Sequence, residues 1–83
     1  MALTESALRE AVLAALADVA PEMDAAALDP RARFREQLDI DSMDFLNFVV
    51  GIHKRTGIEI PESDYGRLAT LADAVGYLLA HPT

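Results

Sequence analysis

Ser42 stands between Asp41 and Asp44 where a polar stretch gives way to an amphipathic run, LDIDSMDFLNF over residues 38–48. A serine hydroxyl can act as a nucleophile or carry an ester, and its neighbours decide which is open to it. Asp41 is placed to cap a helix by accepting the free amides of its first turn, with Asp44 three residues on in a variant of the capping-box spacing. Ser42 then falls at the first helical position with its hydroxyl exposed. A phosphate attached there would lie beside unpaired backbone amides and the positive end of the helix dipole, so the site suits a phosphodiester. Taken in isolation, a serine at a helix start is ordinarily a cap or a solvated residue with no chemistry.

Other chemistries fail on spacing. Asp39 and Asp41 could open a calcium loop, but its fifth position is Met43, its sixth is Asp44 rather than glycine, and its twelfth is Val50 rather than glutamate. Ser42 and His53 are no nucleophile and base, because eleven residues along a helix separate them by roughly 16 Å. His81, near the end of the chain, is no better partner. Neither a glycine-rich phosphate loop nor a paired-histidine metal spacing occurs. With no cysteine, thiolate nucleophiles, disulfides and cysteine zinc sites are all excluded, so thioester chemistry would need an imported thiol.

The elements that must position Ser42 are helical, and no strand of convincing alternation appears. Leu8, Ala11, Val12, Ala15, Leu16 and Val19 recur at three- and four-residue steps, predicting a first helix over 5–20 with Thr4 as cap and Pro21 as its stop. The second begins at Ser42, turns Phe45, Leu46, Val49, Ile52 and His53 inward, and ends where Gly57 supplies a left-handed cap behind Lys54 and Arg55. Its outer stripe is expected to hold Met43, Asn47, Val50, Gly51 and Lys54. Residues 62–68 read as a short helical turn. Thr70 with Asp73 opens a last helix whose face is Leu71, Val75, Leu78 and Leu79 and which Pro82 closes; the tail 81–83 is expected to fray. Between the first two helices lie about 20 residues of weak periodicity, a length that ordinarily counts against an assignment inside a compact domain. Leu28, Phe34, Leu38 and Ile40 can anchor it, with a helical turn near 35–38. The expected fold is an all-α four-helix bundle of three main helices, a short third helix and a long first loop. Its core is predicted to contain Leu8, Val12, Leu16, Phe34, Phe45, Leu46, Val49, Ile52, Ile60, Leu68, Val75 and Leu78.

At 83 residues the chain is one small domain, burying only roughly 60% of its unfolded surface. Its formal charge of −7, from fourteen acidic and seven basic residues, argues against a polyanionic ligand and for basic partner surfaces. The first residues, MALTESALRE, carry acid early and lack the basic region and apolar run of a signal peptide, and no segment approaches transmembrane length. A soluble cytoplasmic protein is expected, and Met1 favours a free-standing one.

The stretch around Ser42 resembles the modification site of acyl carrier proteins and their peptidyl relatives, where a serine in an Asp-Ser-Leu triplet carries phosphopantetheine. Here the triplet is Asp41-Ser42-Met43 followed by Asp44, and residues 57–62, GIEIPE, sit where such carriers place a Glu-Ile-Pro turn. The resemblance covers nearly the whole chain and extends to its long first loop. It implies a carrier without catalytic residues, with phosphopantetheine from coenzyme A attached at Ser42 by a phosphopantetheinyl transferase using magnesium, and with Asp41 helping recognition. A loading ligase and downstream biosynthetic enzymes would be its partners, and the protein a monomer. The pathway implied is fatty-acid-like or specialised metabolite synthesis. The resemblance further places partner docking on Met43, Asp44, Asn47, Val50 and Lys54. Many fatty-acid carriers offer several carboxylates along this helix, whereas this chain has Asn47, His53, Lys54 and Arg55, which points to a specialised pathway. These residues do not separate acyl from aminoacyl cargo. The rival from another class, an unmodified acidic helical interaction module, explains charge and helices but not the placing of Ser42 and the Ile-Pro turn together.

Overall fold

The computed structural model describes residues 4–81. Its order is α1 (Glu5–Val19), a 3₁₀ turn (Ala25–Ala27), the one-turn α2 (Phe34–Gln37), α3 (Ser42–Thr56), a 3₁₀ helix (Glu62–Leu68) and α4 (Leu71–Ala80). The all-α bundle is therefore as expected, with the short third helix wound as 3₁₀. No helix among the described residues is long and apolar enough to cross a membrane. Pro82 and Thr83, assigned above to the helix stop and the tail, lie outside the described residues.

Local signals set the ends of each element. The Thr4 hydroxyl accepts from the Ala7 amide at 3.1 Å, opening α1. α1 closes at Val19 because the residue before a proline is driven out of the helical region, and Ala20 indeed sits at φ −138°, ψ 70°. Gly57 adopts φ 73° behind α3, a conformation that costs glycine nothing. Thr70 opens α4 by accepting from the Asp73 amide at 3.0 Å.

α1 packs against both α3 and α4. Gly51 lies against Ala15, where an added Cβ would come within 3.3 Å of the Ala15 Cβ. It thus faces α1 and does not belong to the outer stripe. The long first loop is anchored as expected, with Phe34 and Ile40 buried and Leu28 and Leu38 packed on the core. Backbone bonds then fasten it to the start of α4: Phe34 N–H to the Ala69 carbonyl at 2.8 Å and Ala72 N–H to that of Pro30 at 2.9 Å. Gln37 staples it internally. Its amide nitrogen donates to the Asp29 and Ala32 carbonyls at 2.8 and 3.0 Å, and its oxygen accepts from the Asp29 amide at 2.9 Å.

The core differs from expectation in its phase on α3. The buried face is Phe48, Val49 and Ile52 with Phe45 half-buried beside it, a three-one-three spacing that leaves Leu46 about 100° round the helix from Phe45. Leu46 is 40% exposed, and His53, one residue past Ile52, is exposed by the same geometry. The His53 ring instead closes the turn after α3, its Nδ1 donating to the Ile58 carbonyl at 2.9 Å. Phe48 is fully buried between Phe34, edge-on at 5.1 Å, and Phe45 at 5.7 Å between ring centroids. Leu79 likewise leaves the core, at 45% exposure, while Tyr77 enters it.

Tyr77 ties α4 to the 3₁₀ helix, its hydroxyl donating to Asp64 Oδ2 at 2.7 Å with the Arg67 guanidinium 5.2 Å above its ring. The Tyr77 ring also stacks on His81, whose ring nitrogen Nδ1 donates to the Tyr77 carbonyl, so the first residue of the tail is held.

Truncating Phe48 to alanine should cost about 3–5 kcal/mol, whereas Leu46→Ala should cost under about 1 kcal/mol, and urea denaturation of both variants measures the contrast. A second expectation concerns alkali. Burial, followed by the hydrogen bond and charge of Asp64, raises the Tyr77 phenol above its ordinary value, with Arg67 opposing. Its folded-state proton is held more tightly than in the unfolded chain, so this contribution is complete below about pH 10 and is lost as pH rises through the raised value. Tyr77→Phe should therefore flatten the alkaline fall in stability, read as urea midpoints from about pH 8 to about pH 11.

Candidate functional site

The start of α3 is built by two aspartates that cap each other's backbone. Asp41 Oδ1 accepts from the Asp44 amide at 2.8 Å, and Asp44 Oδ2 accepts from the Asp41 amide at 3.2 Å. This is the reciprocal capping box, here with Asp44 in the place usually held by glutamate or glutamine. Asp41 itself is extended, at φ −98° and ψ −175°, so the chain enters the helix at a sharp angle and Ser42 becomes its first residue.

Ser42 is exposed. Its own amide and that of Met43 have no acceptor within the helix, because the first turn of any α-helix leaves its donors unpaired. The two flanking carboxylates are aimed back at the Asp41 and Asp44 amides. Negative charge on the Ser42 oxygen would thus meet the positive end of the helix dipole and free N–H groups.

The other residues singled out in α3 divide cleanly. Met43, Asn47, Val50 and Lys54 lie on one exposed face, with Met43 63% and Val50 39% exposed. Leu46 borders the same face and was missed there, although its spacing of three from Met43 and four to Val50 carried the signal. Asp44 is half-buried by its capping role. At the far end Arg55 is drawn to Asp18 of α1, Nη2 to Oδ2 at 2.6 Å, which leaves Lys54 as the basic group directed outward. Among the described residues no cluster of histidine, aspartate or glutamate is arranged to hold a metal.

Comparison with known proteins accounts for this arrangement. The family model described as "Phosphopantetheine attachment site" matches residues 10–78. The chain belongs to the phosphopantetheine-bearing acyl carrier protein family. It is 30% identical to an acyl carrier protein of Rubrobacter xylanophilus over 78 residues, covering 90% of this chain and 96% of that one. An acyl carrier protein of Myxococcus xanthus is 35% identical over 75 residues, 87% of this chain and 95% of its own length. The meromycolate extension acyl carrier protein of Mycolicibacterium smegmatis is 30% identical over 76 residues, 88% and 77% of the two chains.

Members of this family are carriers and not enzymes, they bear covalent phosphopantetheine, and they work with a phosphopantetheinyl transferase and with biosynthetic enzymes. The residues at the start of α3 fit such a group. An exposed alcohol and unpaired first-turn amides stand together there, and the neighbouring carboxylates are already engaged with backbone donors. When attached, phosphopantetheine supplies a terminal thiol on which acyl groups ride as thioesters.

Because the box is reciprocal, Asp41→Ala should cost about 1 kcal/mol of stability while Asp41→Asn keeps most of it. Urea denaturation of the two variants gives the comparison.

Proposed function

We propose that residues 1–83 form one carrier domain whose Ser42 hydroxyl is the point of phosphopantetheine attachment. The observation that carries this reading is the exposed alcohol held at the first position of α3 by the paired Asp41 and Asp44 caps. In the loading step the Ser42 oxygen attacks the pyrophosphate of coenzyme A at the phosphorus bearing the pantetheine half. The bond to the nucleotide half breaks, and the hydroxyl proton passes to a base of the transferase or to water. The chain's own residues contribute position and charge: the cap fixes the oxygen, and the first-turn amides with the helix dipole stabilise the diester.

Asp41 also serves the transferase as a recognition group. Met43, Asp44, Asn47, Val50 and Lys54 form the docking surface, supported by the exposure of Met43 and Val50 along one face. Leu46 extends that surface. The carrier acts as a monomer in the cytoplasm, where coenzyme A is at hand, and receives its cargo from a loading ligase. Asn47, His53, Lys54 and Arg55 stand where many fatty-acid carriers place carboxylates, which favours a specialised pathway over general fatty-acid synthesis. Tethering raises the effective concentration of the cargo at each docked enzyme without any catalytic group of the carrier's own.

Intact-mass spectrometry after incubation with coenzyme A, magnesium and a broad-specificity transferase should show the gain of one phosphopantetheine. Ser42→Ala should show none. An unmodified wild-type chain with several unrelated transferases, or a modified Ser42→Ala, would remove the proposal.

A further inference from the structure

Three of the chain's seven basic residues, Arg31, Arg33 and Arg35, fall close together in the long first loop of a protein whose net charge is −7. All three are exposed. The backbone that carries them is fastened at several points. Asp29 Oδ1 accepts from the Arg31 amide at 2.9 Å, the Pro30 carbonyl and the Phe34 amide are bonded to Ala72 and Ala69 at the approach to α4, and Gln37 bridges back to Asp29 and Ala32. The Phe34 side chain, between the second and third arginine, is fully buried. Guanidinium groups displayed from so fixed a frame need little ordering of the main chain when they bind.

The fold itself gives these charges almost no partner. Arg33 meets Glu36 only at 3.8 Å, with both side chains mostly exposed, and Arg31 and Arg35 form no ion pair among the described residues. Arg33 also occupies the N-cap of α2, where an oxygen-bearing side chain would accept a free amide, and makes no such bond. By contrast Arg55 is paired with Asp18, and Arg67 lies over the Tyr77 ring. Arg33 and Arg35 share a cleft lining with Phe45, so the patch stands beside the first half of α3. Between Met43 and Lys54 that helix has one carboxylate, Asp44, which is half-buried in its cap, and its outer face ends on the cation of Lys54.

From this sorting of charge we infer that an enzyme docking on α3 presents a short acidic segment to Arg31, Arg33 and Arg35. The inference rests on α3 as the docking helix and adds the chemistry of the partner. Net charge sets the long-range approach and favours basic surfaces, but within a Debye length of about 8–10 Å the local edge decides, and this edge is cationic. The segment is short because a longer polyanion, nucleic acid included, would run off the patch onto acidic surface. Guanidinium forks match carboxylates in geometry, and charges at the rim of an interface govern which partner is accepted more than how tightly it is held.

The test titrates the isotope-labelled chain, without its arm, with three probes: a helical Leu/Glu peptide, a Leu/Lys peptide of equal length, and a single-stranded oligonucleotide matched in charge to the first. NMR resonances of the Arg31, Arg33 and Arg35 Nε groups and the Ala32 amide should move with the Leu/Glu peptide and stay in place with Leu/Lys. Added salt should weaken the binding, and Arg31→Gln/Arg33→Gln/Arg35→Gln should weaken it roughly three- to tenfold, as expected for three exposed charge pairs. Urea midpoints of the triple variant establish that it is folded. On the armed protein, reversal to Arg31→Glu/Arg33→Glu/Arg35→Glu should raise kcat/KM with an acyltransferase chosen for a basic docking face by a similar factor. Equal response to Leu/Lys, oligonucleotide binding at the arginines as tight as that of the peptide, a triple glutamine variant that binds undiminished, or no gain on charge reversal would each overturn the inference. Intact mass reads the arm separately: a chain that takes none strikes the Ser42 reading, while the peptide titration, which needs no arm, still decides this one.

Discussion

Phe48 is the side chain on which the arrangement turns. Its ring is wedged between Phe34 of α2 and Phe45 of α3, and the backbone of Phe34 is in turn bonded to Ala69 just ahead of α4. One buried aromatic group thereby fixes a segment of the long loop, the first half of α3 and the approach to α4 against each other. A domain this small has little stability to spare, so the constraint cannot be replaced by bulk burial elsewhere. Once the trio is packed, the start of α3 has one position, and the capping aspartates have only to finish it.

Charge is sorted along α3 in the direction the helix dipole favours. Asp41 and Asp44 sit at its positive end, and His53, Lys54 and Arg55 at its negative end, with Arg55 further tied to Asp18. This order has a second effect at the N-terminus. Two carboxylates beside an esterified serine would repel a diester if they were free, and aiming each at a backbone amide removes much of that opposition. On the proposed reading, the acids that flank the diester are the ones that build its site.

What the sequence made legible was whatever is decided within one turn of chain. Thr4, Asp41 and Thr70 act on amides three residues away, and Gly57 on its own backbone, so all four could be assigned before any packing was known. The extent of the 3₁₀ helix and the anchoring role of Phe34 and Ile40 followed from the same local reading. The phase of α3 did not. Leu46 and Phe48 are both apolar and both near the axis of the pattern, and only the presence of Phe34 opposite decides which is buried. Gln37 and Tyr77 were missed for a related reason: their partners lie eight and thirteen residues away, at Asp29 and Asp64, and no periodicity announces such a bond. Gly51 was read as surface because its lack of a side chain hides how closely Ala15 approaches. The position of Ser42 at the helix start was legible because its cap is local, while the family match shows the carrier family, and the role of Ser42 itself stays a proposal.

The displacement of Leu46 from the core bears on how a carrier divides its apolar residues. Met43, Leu46 and Val50 leave a substantial share of their surface in water within a helix that buries Phe48, Val49 and Ile52 on its other side. In so small a core, removing three large side chains from burial forgoes stabilisation on the order of 1.5–3 kcal/mol for each one fully withdrawn, and proportionately less for these half-exposed ones. Stability alone gives no reason for that expenditure on a face whose edges are already charged. A surface that must be recognised does, because apolar groups contribute to association only if they are wet beforehand. The three lie within about two and a quarter turns of Ser42. On the proposed reading an enzyme docking on them would meet the tether's origin at a fixed offset, and the rigidity Phe48 imposes on α3 would become the precision with which cargo is delivered.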